Sequence, residues 1–259
     1  MSQLIDKLNR ISQGASQPMG FRAAQLASPK LRMLLIASLS ELKTNNLADY
    51  VAGADGVLLS VSPSSAAKAL REASQAVPDI PWGVWLGDSG QTEIDEIVKA
   101  GCDFVVFAEA NTPLVIPTGN AVGRIIEIEA SLSDGLLRAV DDLLVDAVLT
   151  TGEPKEDWSL TWRHLMFFQR FANLLTKPFL VSIPSSVTAS ELEALCQTGV
   201  DGVIIKVETE QPPGRIGELH QAIDKLASPP QRKRGKAEPL LPHIRPEPET
   251  LSEEEEEEE

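Results

Sequence analysis

Apolar and polar residues along most of this chain follow two alternating patterns. Short runs rich in Val, Ile and Leu predict buried strands, and the segments between them carry apolar residues at helical spacing, which predicts amphipathic helices. Eight runs have the strand pattern: 31–39, 55–62, 82–88, 103–109, 124–131, 146–151, 179–183 and 201–208. Seven segments have the helix pattern: 41–52, 64–76, 91–100, 133–144, 157–175, 188–198 and 214–226. Strands that alternate with helices predict parallel pairing in βαβ units.

Four parts of the chain lie outside this alternation. Residues 2–13 carry apolar side chains at helical spacing and predict an N-terminal extra helix, and residues 14–30 predict a connection. Residues 110–122 hold Pro113, Pro117 and Gly119 and predict an irregular loop or one short turn. Residues 227–259 are rich in Pro and Glu and end in seven glutamates, which predicts a disordered acidic C-terminal tail. The predicted units are therefore 1–30, 31–226 and 227–259.

Four short segments repeat one pattern, in which Asp precedes a small or aromatic residue and a run of apolar residues. They are GADGVLLS, GCDFVVFA, LVDAVLTT and GVDGVIIK. Their aspartates, Asp55, Asp103, Asp146 and Asp201, begin the second, fourth, sixth and eighth predicted strands, so the repeating unit is a two-strand quarter. Four equivalent quarters favour a single closed (β/α)8 barrel over an open doubly wound sheet. Because the aspartates lie at strand starts, we expect them to be structural hydrogen-bond acceptors and not catalysts.

The segments GADGVLLS and GVDGVIIK resemble the strand openings of phosphate-binding, aldolase-like TIM barrels, such as thiamine-phosphate synthase and indole-glycerol-phosphate synthase. The resemblance covers about 31–226 and implies a TIM-barrel fold. Barrels of this kind hold a phosphate at the turns after strands seven and eight. The corresponding turns here lack an early glycine, and the residues that could take its place are Ser185, Ser186, Thr188 and Arg215.

Active sites of such barrels lie at the carboxyl ends of the strands, so the side chains there are the candidates for chemistry. Ser38 and Ser40 end the first predicted strand, whereas Trp82 and Trp85 of the third strand are expected to be core residues. The candidate substrate-binding residues at these ends and in the following turns are Ser60, Asp88, Glu109, Thr151, Ser182, Ser185, Ser186 and Arg215. No histidine lies at a predicted strand end, which argues against a Ser-His-Asp triad and a zinc site.

The fifth and eighth predicted strands place charged residues on the inner face of the barrel. Ile126 and Ile128 suit the helix layer, so alternation with a period of two predicts that Glu127 and Glu129 point inward. The same alternation predicts that Lys206 points inward. Buried charges are costly unless they are paired, protonated or bound to a cation. We therefore treat Glu127, Glu129 and Lys206 as candidate catalytic residues, with an internal salt-bridge network as the alternative.

These residue types suit a limited range of reactions. The glutamates could act as a general base or as ligands of Mg²⁺, and Lys206 as an electrophile, a clamp for a substrate carboxylate or a Schiff-base amine. They predict a lyase, aldolase or isomerase that acts on a small carbonyl- or carboxylate-bearing metabolite. The alternative is a non-catalytic barrel that serves as a small-molecule sensor or an assembly protein, because this fold hosts many functions.

Charge and composition narrow the classes of partner. The formal net charge is −15, which argues against nucleic-acid binding. No apolar run approaches the ~18–20 residues of a membrane span, and no signal peptide is visible, so a cytoplasmic protein with no membrane partner is expected. The predicted helix 157–175 is apolar around more than half its circumference. This surplus predicts a homodimer contact or burial beneath the N-terminal segment.

Overall fold

The computed structural model of the chain describes residues 2–13, 32–40, 47–60, 62–87, 91–110, 112, 121–151, 159–207 and 213–226. The connection predicted over 14–30 and the tail predicted over 227–259 lie outside these ranges. The eight predicted strands are present as β1 (Leu34–Leu39), β2 (Gly56–Leu59), β3 (Trp82–Trp85), β4 (Phe104–Ala108), β5 (Gly123–Ile128), β6 (Ala147–Thr151), β7 (Phe179–Ile183) and β8 (Gly202–Val207). They form a closed barrel in sequence order, in which β1 pairs in parallel with β8, so the predicted (β/α)8 barrel is confirmed.

The described helices comprise one that precedes the first strand and others that follow the strands around the outside of the barrel. They are α1 (Gln3–Ser12), α2 (Leu47–Val51), α3 (Pro63–Ala76), α4 (Gln91–Lys99), α5 (Asp134–Val140), α6 (Trp162–Leu174), α7 (Ala189–Gln197) and α8 (Arg215–Asp224). Among the described residues, only α1 precedes the first strand, and most of the loop predicted over 110–122 lies outside the described ranges. Ser133, Thr161 and Thr188 cap α5, α6 and α7 by accepting hydrogen bonds from first-turn amides. Within the described part of the chain, we find no helix with the length and apolar character that a bilayer crossing requires.

Alternate residues of each strand enter two separate apolar cores. Leu35 and Phe179 face outward and pack with the helices in the larger core, the outer core. Leu34, Phe104 and Leu180 face inward and form the inner core, which fills the lumen. This alternation explains the period-two pattern of the sequence, and it makes the lumen a packed core whose polar residues are confined to its ends.

The repeated aspartates tie neighbouring strands together at the amino-terminal end of the barrel. Three of them accept a hydrogen bond from a backbone N–H of the preceding odd strand: Asp55 from Leu35 at 3.0 Å, Asp146 from Arg124 at 2.8 Å, and Asp201 from Phe179 at 2.8 Å. The predicted structural role of these aspartates is therefore confirmed by their contacts.

Helix α1 closes the amino-terminal end of the lumen. Its Leu4, Ile5 and Leu8 are buried in the inner core. Glycines in the strands make room for them, because a Cβ on Gly123 would lie 2.4 Å from Ile5 Cγ1, and one on Gly56 would lie 2.9 Å from Leu4 Cδ1. The predicted N-terminal extra helix is present, and it belongs to the core of the barrel.

Asp103, the fourth repeated aspartate, holds the start of α1. Its carboxylate accepts hydrogen bonds from Ser2 Oγ at 2.8 Å, from the backbone N–H of Gln3 at 2.7 Å and from that of Leu4 at 3.0 Å. Ser2 caps the helix by accepting from the backbone N–H of Ile5 at 3.3 Å. Because the first amides of a helix have no partner within it, Asp103 satisfies donors that would otherwise be unpaired.

Replacement of Asp103 by alanine is expected to lower the free energy of unfolding by about 2 kcal/mol, because three donors at the start of α1 lose their acceptor. The matched control is Asp79→Ala, at an exposed turn, which should change the free energy by less than about 0.5 kcal/mol. Chemical denaturation measures both values. If the two variants are equally stable, α1 is not held through Asp103.

Candidate ligand-binding site at the barrel mouth

The carboxyl ends of the strands surround a cavity of about 290 Å³. Its lining residues are Ser38, Ser40, Leu58, Ser60, Trp85, Leu149, Thr151, Ser182, Ile204 and Lys206. This is the end of the barrel at which barrel enzymes bind their substrates. Three of the candidate substrate-binding residues, Ser60, Thr151 and Ser182, contribute to the lining, and so does the candidate catalytic residue Lys206.

The cavity has an apolar floor and a polar wall. Leu58, Leu149 and Ile204 belong to the inner core and form the floor. Two positions further along the same strands, the inward-facing residues are polar: Ser60, Thr151 and Lys206. Along each of these strands, the inward-facing residues therefore change from apolar to polar at the depth where a ligand can bind.

Lys206 is the one charged side chain among the described residues that line the cavity. It lies on β8 beside Ser38 of β1, and it is exposed. Across β1 and β2, the hydroxyl oxygens of Ser38 and Ser60 are 3.4 Å apart. An ammonium group close to several hydroxyl donors is suited to hold an anionic group of a ligand.

Glu127 lies on the inner face of β5, as the alternation predicts, between Ile126 and Ile128 of the outer core. It is half-buried, and the Thr151 hydroxyl donates a hydrogen bond to its Oε1. Burial raises the pKa of Glu127, the hydrogen bond from Thr151 opposes that rise, and the nearby Glu109 carboxylate adds to it. Because Thr151 also lines the cavity, the Glu127 carboxyl group is one hydrogen bond away from the cavity wall.

Glu129 does not share the inner face with Glu127. Strand β5 ends at Ile128, and a turn follows in which the Leu132 N–H donates to the Glu129 carbonyl oxygen at 3.2 Å. The Glu129 side chain is exposed, and its carboxylate accepts a hydrogen bond from Ser131 Oγ at 3.0 Å. The prediction that Glu129 points inward was wrong, because it assumed a strand that continues to residue 131. The catalytic role of Glu129 stays a prediction.

Arg215 holds the turn after β7. Its guanidinium donates to the carbonyl oxygens of Ser185 at 3.1 Å and Val187 at 2.7 Å, and it pairs with Glu218 at 3.1 Å. The described residues that line the cavity do not include Arg215, Ser185 or Ser186. Their predicted role in substrate or phosphate binding therefore stays a prediction, and the structure gives Arg215 a structural role.

Both tryptophans of the third strand pack against a core, as the sequence predicts, and Trp85, which is half-buried against the inner core, lines the cavity as well. Trp82 is buried in the outer core, and its Nε1 donates to the Val77 carbonyl oxygen at 2.9 Å. Trp85 lines the cavity together with Ser38 and Ser40. The signal was present in the sequence, because two strand residues at odd spacing face opposite sides of a sheet.

Two further candidates for substrate binding are Asp88 and Glu109. Asp88 lies outside the described residues. Glu109 follows β4 and is exposed, and its Oε1 accepts a hydrogen bond from the backbone N–H of Glu129 at 3.2 Å. Both assignments stay predictions.

A magnesium site formed by the two glutamates is not assembled in the described residues. Glu127 is on the inner face and Glu129 is in an exposed turn. The described ranges contain no group of three or more His, Cys, Asp or Glu side chains that could hold a metal ion.

Glu127→Gln is expected to raise the free energy of unfolding at neutral pH. Burial raises the pKa of Glu127 in the folded chain, so the ionised carboxylate destabilises the fold. The loss of stability begins as the pH rises through the pKa that Glu127 has in the unfolded chain. It grows until the pH exceeds the pKa of Glu127 in the folded chain. Denaturation curves should show no difference from wild type near pH 4 and a gain of less than about 1 kcal/mol near pH 8, because solvent screens this half-buried group. A difference that is constant with pH would contradict the assignment.

Comparison with solved structures finds the same fold in tryptophan synthase. A mutant alpha-subunit from the hyperthermophile Pyrococcus furiosus is 12% identical over 74% of this chain and 97% of that chain, with a TM-score of 0.58. A second mutant of that subunit is 11% identical over 75% and 97%, with a TM-score of 0.59. The tryptophan synthase complex from Pyrococcus furiosus gives 11% over 74% and 97%, with a TM-score of 0.57. Neither a family model nor a curated protein matches the sequence. At this identity the likeness shows the TIM-barrel fold alone.

Proposed function

We propose that this barrel is an enzyme of the lyase, aldolase or isomerase class, and that it binds a small anionic metabolite with a carbonyl or carboxylate group at its mouth. One observation carries the proposal. Lys206 lines the cavity, and Glu127 is joined to the cavity wall through the Thr151 hydroxyl. A cation for the anionic group and a carboxylate for proton transfer are the two components that such reactions require.

Ligand binding in this proposal rests on the polar wall. Lys206 pairs with a carboxylate or an enolate oxygen, and the hydroxyl groups of Ser38, Ser60 and Ser182 donate or accept the remaining hydrogen bonds. The leucine and isoleucine floor limits the depth of the site. A cavity of about 290 Å³ is at the lower end of the range for ligand pockets, so a small metabolite fits it.

Proton transfer rests on Glu127 and Thr151. Glu127 takes the proton that the Thr151 hydroxyl donates to it, and Thr151 takes a proton from the ligand carbon next to the carbonyl group. The electron pair of the broken C–H bond moves onto the carbonyl oxygen, where the Lys206 ammonium stabilises the negative charge. A raised pKa suits Glu127 to this role, because a base works best when its pKa lies near the working pH.

A ligand screen on the full chain tests the proposal. Small keto acids, hydroxy acids and sugar phosphates are tested by thermal shift, and each ligand that binds is followed by proton NMR in D₂O. The proposal expects at least one small carboxylate that stabilises the protein and exchanges a proton for deuterium next to its carbonyl group. Binding restricted to uncharged compounds would contradict the role of Lys206.

A second candidate function is a non-catalytic barrel that acts as a sensor or an assembly protein. It is favoured by large apolar side chains on the outer surface, among which Leu144 is 78% exposed and Trp162 is 83% exposed. The same screen separates the two functions. A sensor binds its ligand and leaves it without deuterium, whereas the enzyme incorporates deuterium.

The proposed setting is the cytoplasm, with a small molecule as the ligand and neither nucleic acid nor membrane as a partner. The net charge of −15 supports the absence of nucleic-acid binding, because the protein repels a phosphate backbone. A pull-down from cell extract at low salt measures this, and the expected result is a preparation without bound nucleic acid.

A further inference from the structure

The outward face of α6 combines aromatic, apolar and basic side chains. Trp162 is 83% exposed and Met166, one helical turn further on, is 73% exposed. The Arg163 guanidinium carbon lies 5.5 Å from the centroid of the Phe167 ring. We call these four residues the α6 strip. Residues 159–177 contain three Lys/Arg and no Asp or Glu. Arg170 pairs with Asp134 at 2.6 Å, and Lys177 donates to the carbonyl oxygen of Val145 at 2.8 Å, so Arg163 is the basic residue of the α6 strip.

The α6 strip is not needed to pack the helix on the barrel. Phe168 and Phe171 are buried and do so through Phe179 of β7, with ring centroids 6.3 and 5.4 Å apart. Helix α1 lies in the inner core, so residues 2–13 do not cover the exposed Trp162 and Met166, whereas residues 14–31 of the N-terminal segment lie outside the described residues. Large apolar side chains left exposed together are typical of a contact surface.

The C-terminal segment, residues 238–259, is acidic and also contains apolar residues. Residues 238–259 contain ten Glu, one Arg and no Lys, together with the apolar residues Leu240, Leu241, Ile244 and Leu251. Glutamates of this segment can pair with Arg163, and its leucines can pack on Trp162 and Met166, so the segment complements the α6 strip in charge and hydrophobicity. The segment lies outside the described residues, and these are properties of its amino-acid composition.

The chain between α8 and segment 238–259 is long enough for this segment to reach the α6 strip. The described chain ends at Leu226, after α8, and α7 contacts both α6 and α8. Packed helices are about 8–10 Å apart, so α6 lies roughly 20 Å from α8. The 13 residues of α6 add a length of about 20 Å. The twelve residues 227–238 can extend over about 40 Å, which exceeds the diagonal of these two distances.

We propose that segment 238–259 docks on the α6 strip of its own chain, with Leu240 and Leu241 against Trp162 and Met166, and with glutamates beside Arg163. Attachment to the same chain gives the segment an effective concentration in the millimolar range, so a contact that is weak between separate molecules is populated within one. This inference is independent of the reaction proposed for the barrel mouth.

Fluorine NMR of the full chain tests the docking. Labelling with 5-fluorotryptophan gives one resonance for each of the four tryptophans, and Trp162→Phe identifies the resonance of Trp162. One variant replaces the seven glutamates 253–259 by glutamine, and a second combines Leu240→Ser with Leu241→Ser. Both changes are at residues outside the described barrel, so we expect the barrel to fold as in the wild type. Trp82, which is 3% exposed, is the internal control.

The expected result is a shift of the Trp162 resonance in both variants while the Trp82 resonance stays in place. About 1 M NaCl should move the wild-type Trp162 resonance in the same direction, because it shortens the screening length to about 3 Å. An unmoved Trp162 resonance in both variants overturns the proposal.

Two other outcomes also overturn it and identify a different occupant. A shift with salt that neither tail variant reproduces assigns the charge to the acids just before α6, Glu153, Glu156 and Asp157. A shift that disappears on dilution, together with a dimer mass in light scattering, assigns the α6 strip to a second copy of the chain. That second outcome is the homodimer through helix 157–175 that the sequence predicts.

Discussion

Lys206→Met is expected to lower the affinity for the anionic ligand by about 10- to 100-fold. A hydrogen bond to a charged group contributes about 1.5–3 kcal/mol, and each 1.4 kcal/mol is a factor of ten in affinity. Lys206 is the one charged residue among the described residues of the cavity lining, so no other side chain there takes its place. Methionine keeps most of the length of the apolar stem and removes the ammonium group. Isothermal titration calorimetry with the best small carboxylate measures the loss.

Two matched variants control this experiment. Lys99→Met removes an exposed lysine at the end of α4, outside the barrel, and should leave the affinity unchanged. Lys206→Arg keeps the charge and should recover part of the binding, since the guanidinium places its donors differently. Equal affinity in wild type and Lys206→Met would show that the anionic group of the ligand binds elsewhere.

Glu127→Gln is expected to slow proton exchange of the bound ligand by about 10²- to 10⁴-fold, the usual contribution of a positioned general base. Glutamine is similar in size and still accepts the hydrogen bond from Thr151, so the binding constant of the ligand should change little. Because burial raises the pKa of Glu127, the wild-type rate should fall on the acid side at a pH above the ordinary value of 4.5. This acid limb should be absent from the residual rate of the variant.

Glu129→Gln separates this assignment from the sequence-based prediction that Glu129 is catalytic as well. It removes a carboxylate two residues away, in the exposed turn after β5, and should leave the exchange rate unchanged. If Glu129→Gln slows the exchange as much as Glu127→Gln does, the assignment of the base to the inner face is wrong. If neither variant slows it, the barrel binds its ligand without the proposed chemistry.

The fold could be predicted from the sequence because its signals are local. Each strand is a short apolar run, and the aspartate that opens every second strand repeats once per quarter, because it ties that strand to its neighbour. The inward direction of Lys206 and Glu127 also follows from local alternation, since Val203, Ile205 and Ile126 pack in the outer core.

Other features depended on distant contacts or on strand ends, which local patterns do not define. The Glu129 side chain lies in an exposed turn because the strand ends at Ile128, three residues before the predicted end at 131. The position of α1 depends on Asp103, about one hundred residues away along the chain, and no local pattern indicates that contact. Arg215 was assigned to a ligand, and its partners are backbone carbonyl oxygens 28 and 30 residues earlier.

A crystal structure of the full chain with the best carboxylate ligand tests the central claim most directly. The account predicts the ligand in the cavity at the barrel mouth, with one of its anionic oxygens about 2.7–3.2 Å from Lys206 Nζ. It also predicts that the ligand carbon that exchanges its proton lies next to the Thr151 hydroxyl. A ligand bound outside the mouth, or inside it with its anionic group away from Lys206, would contradict the account.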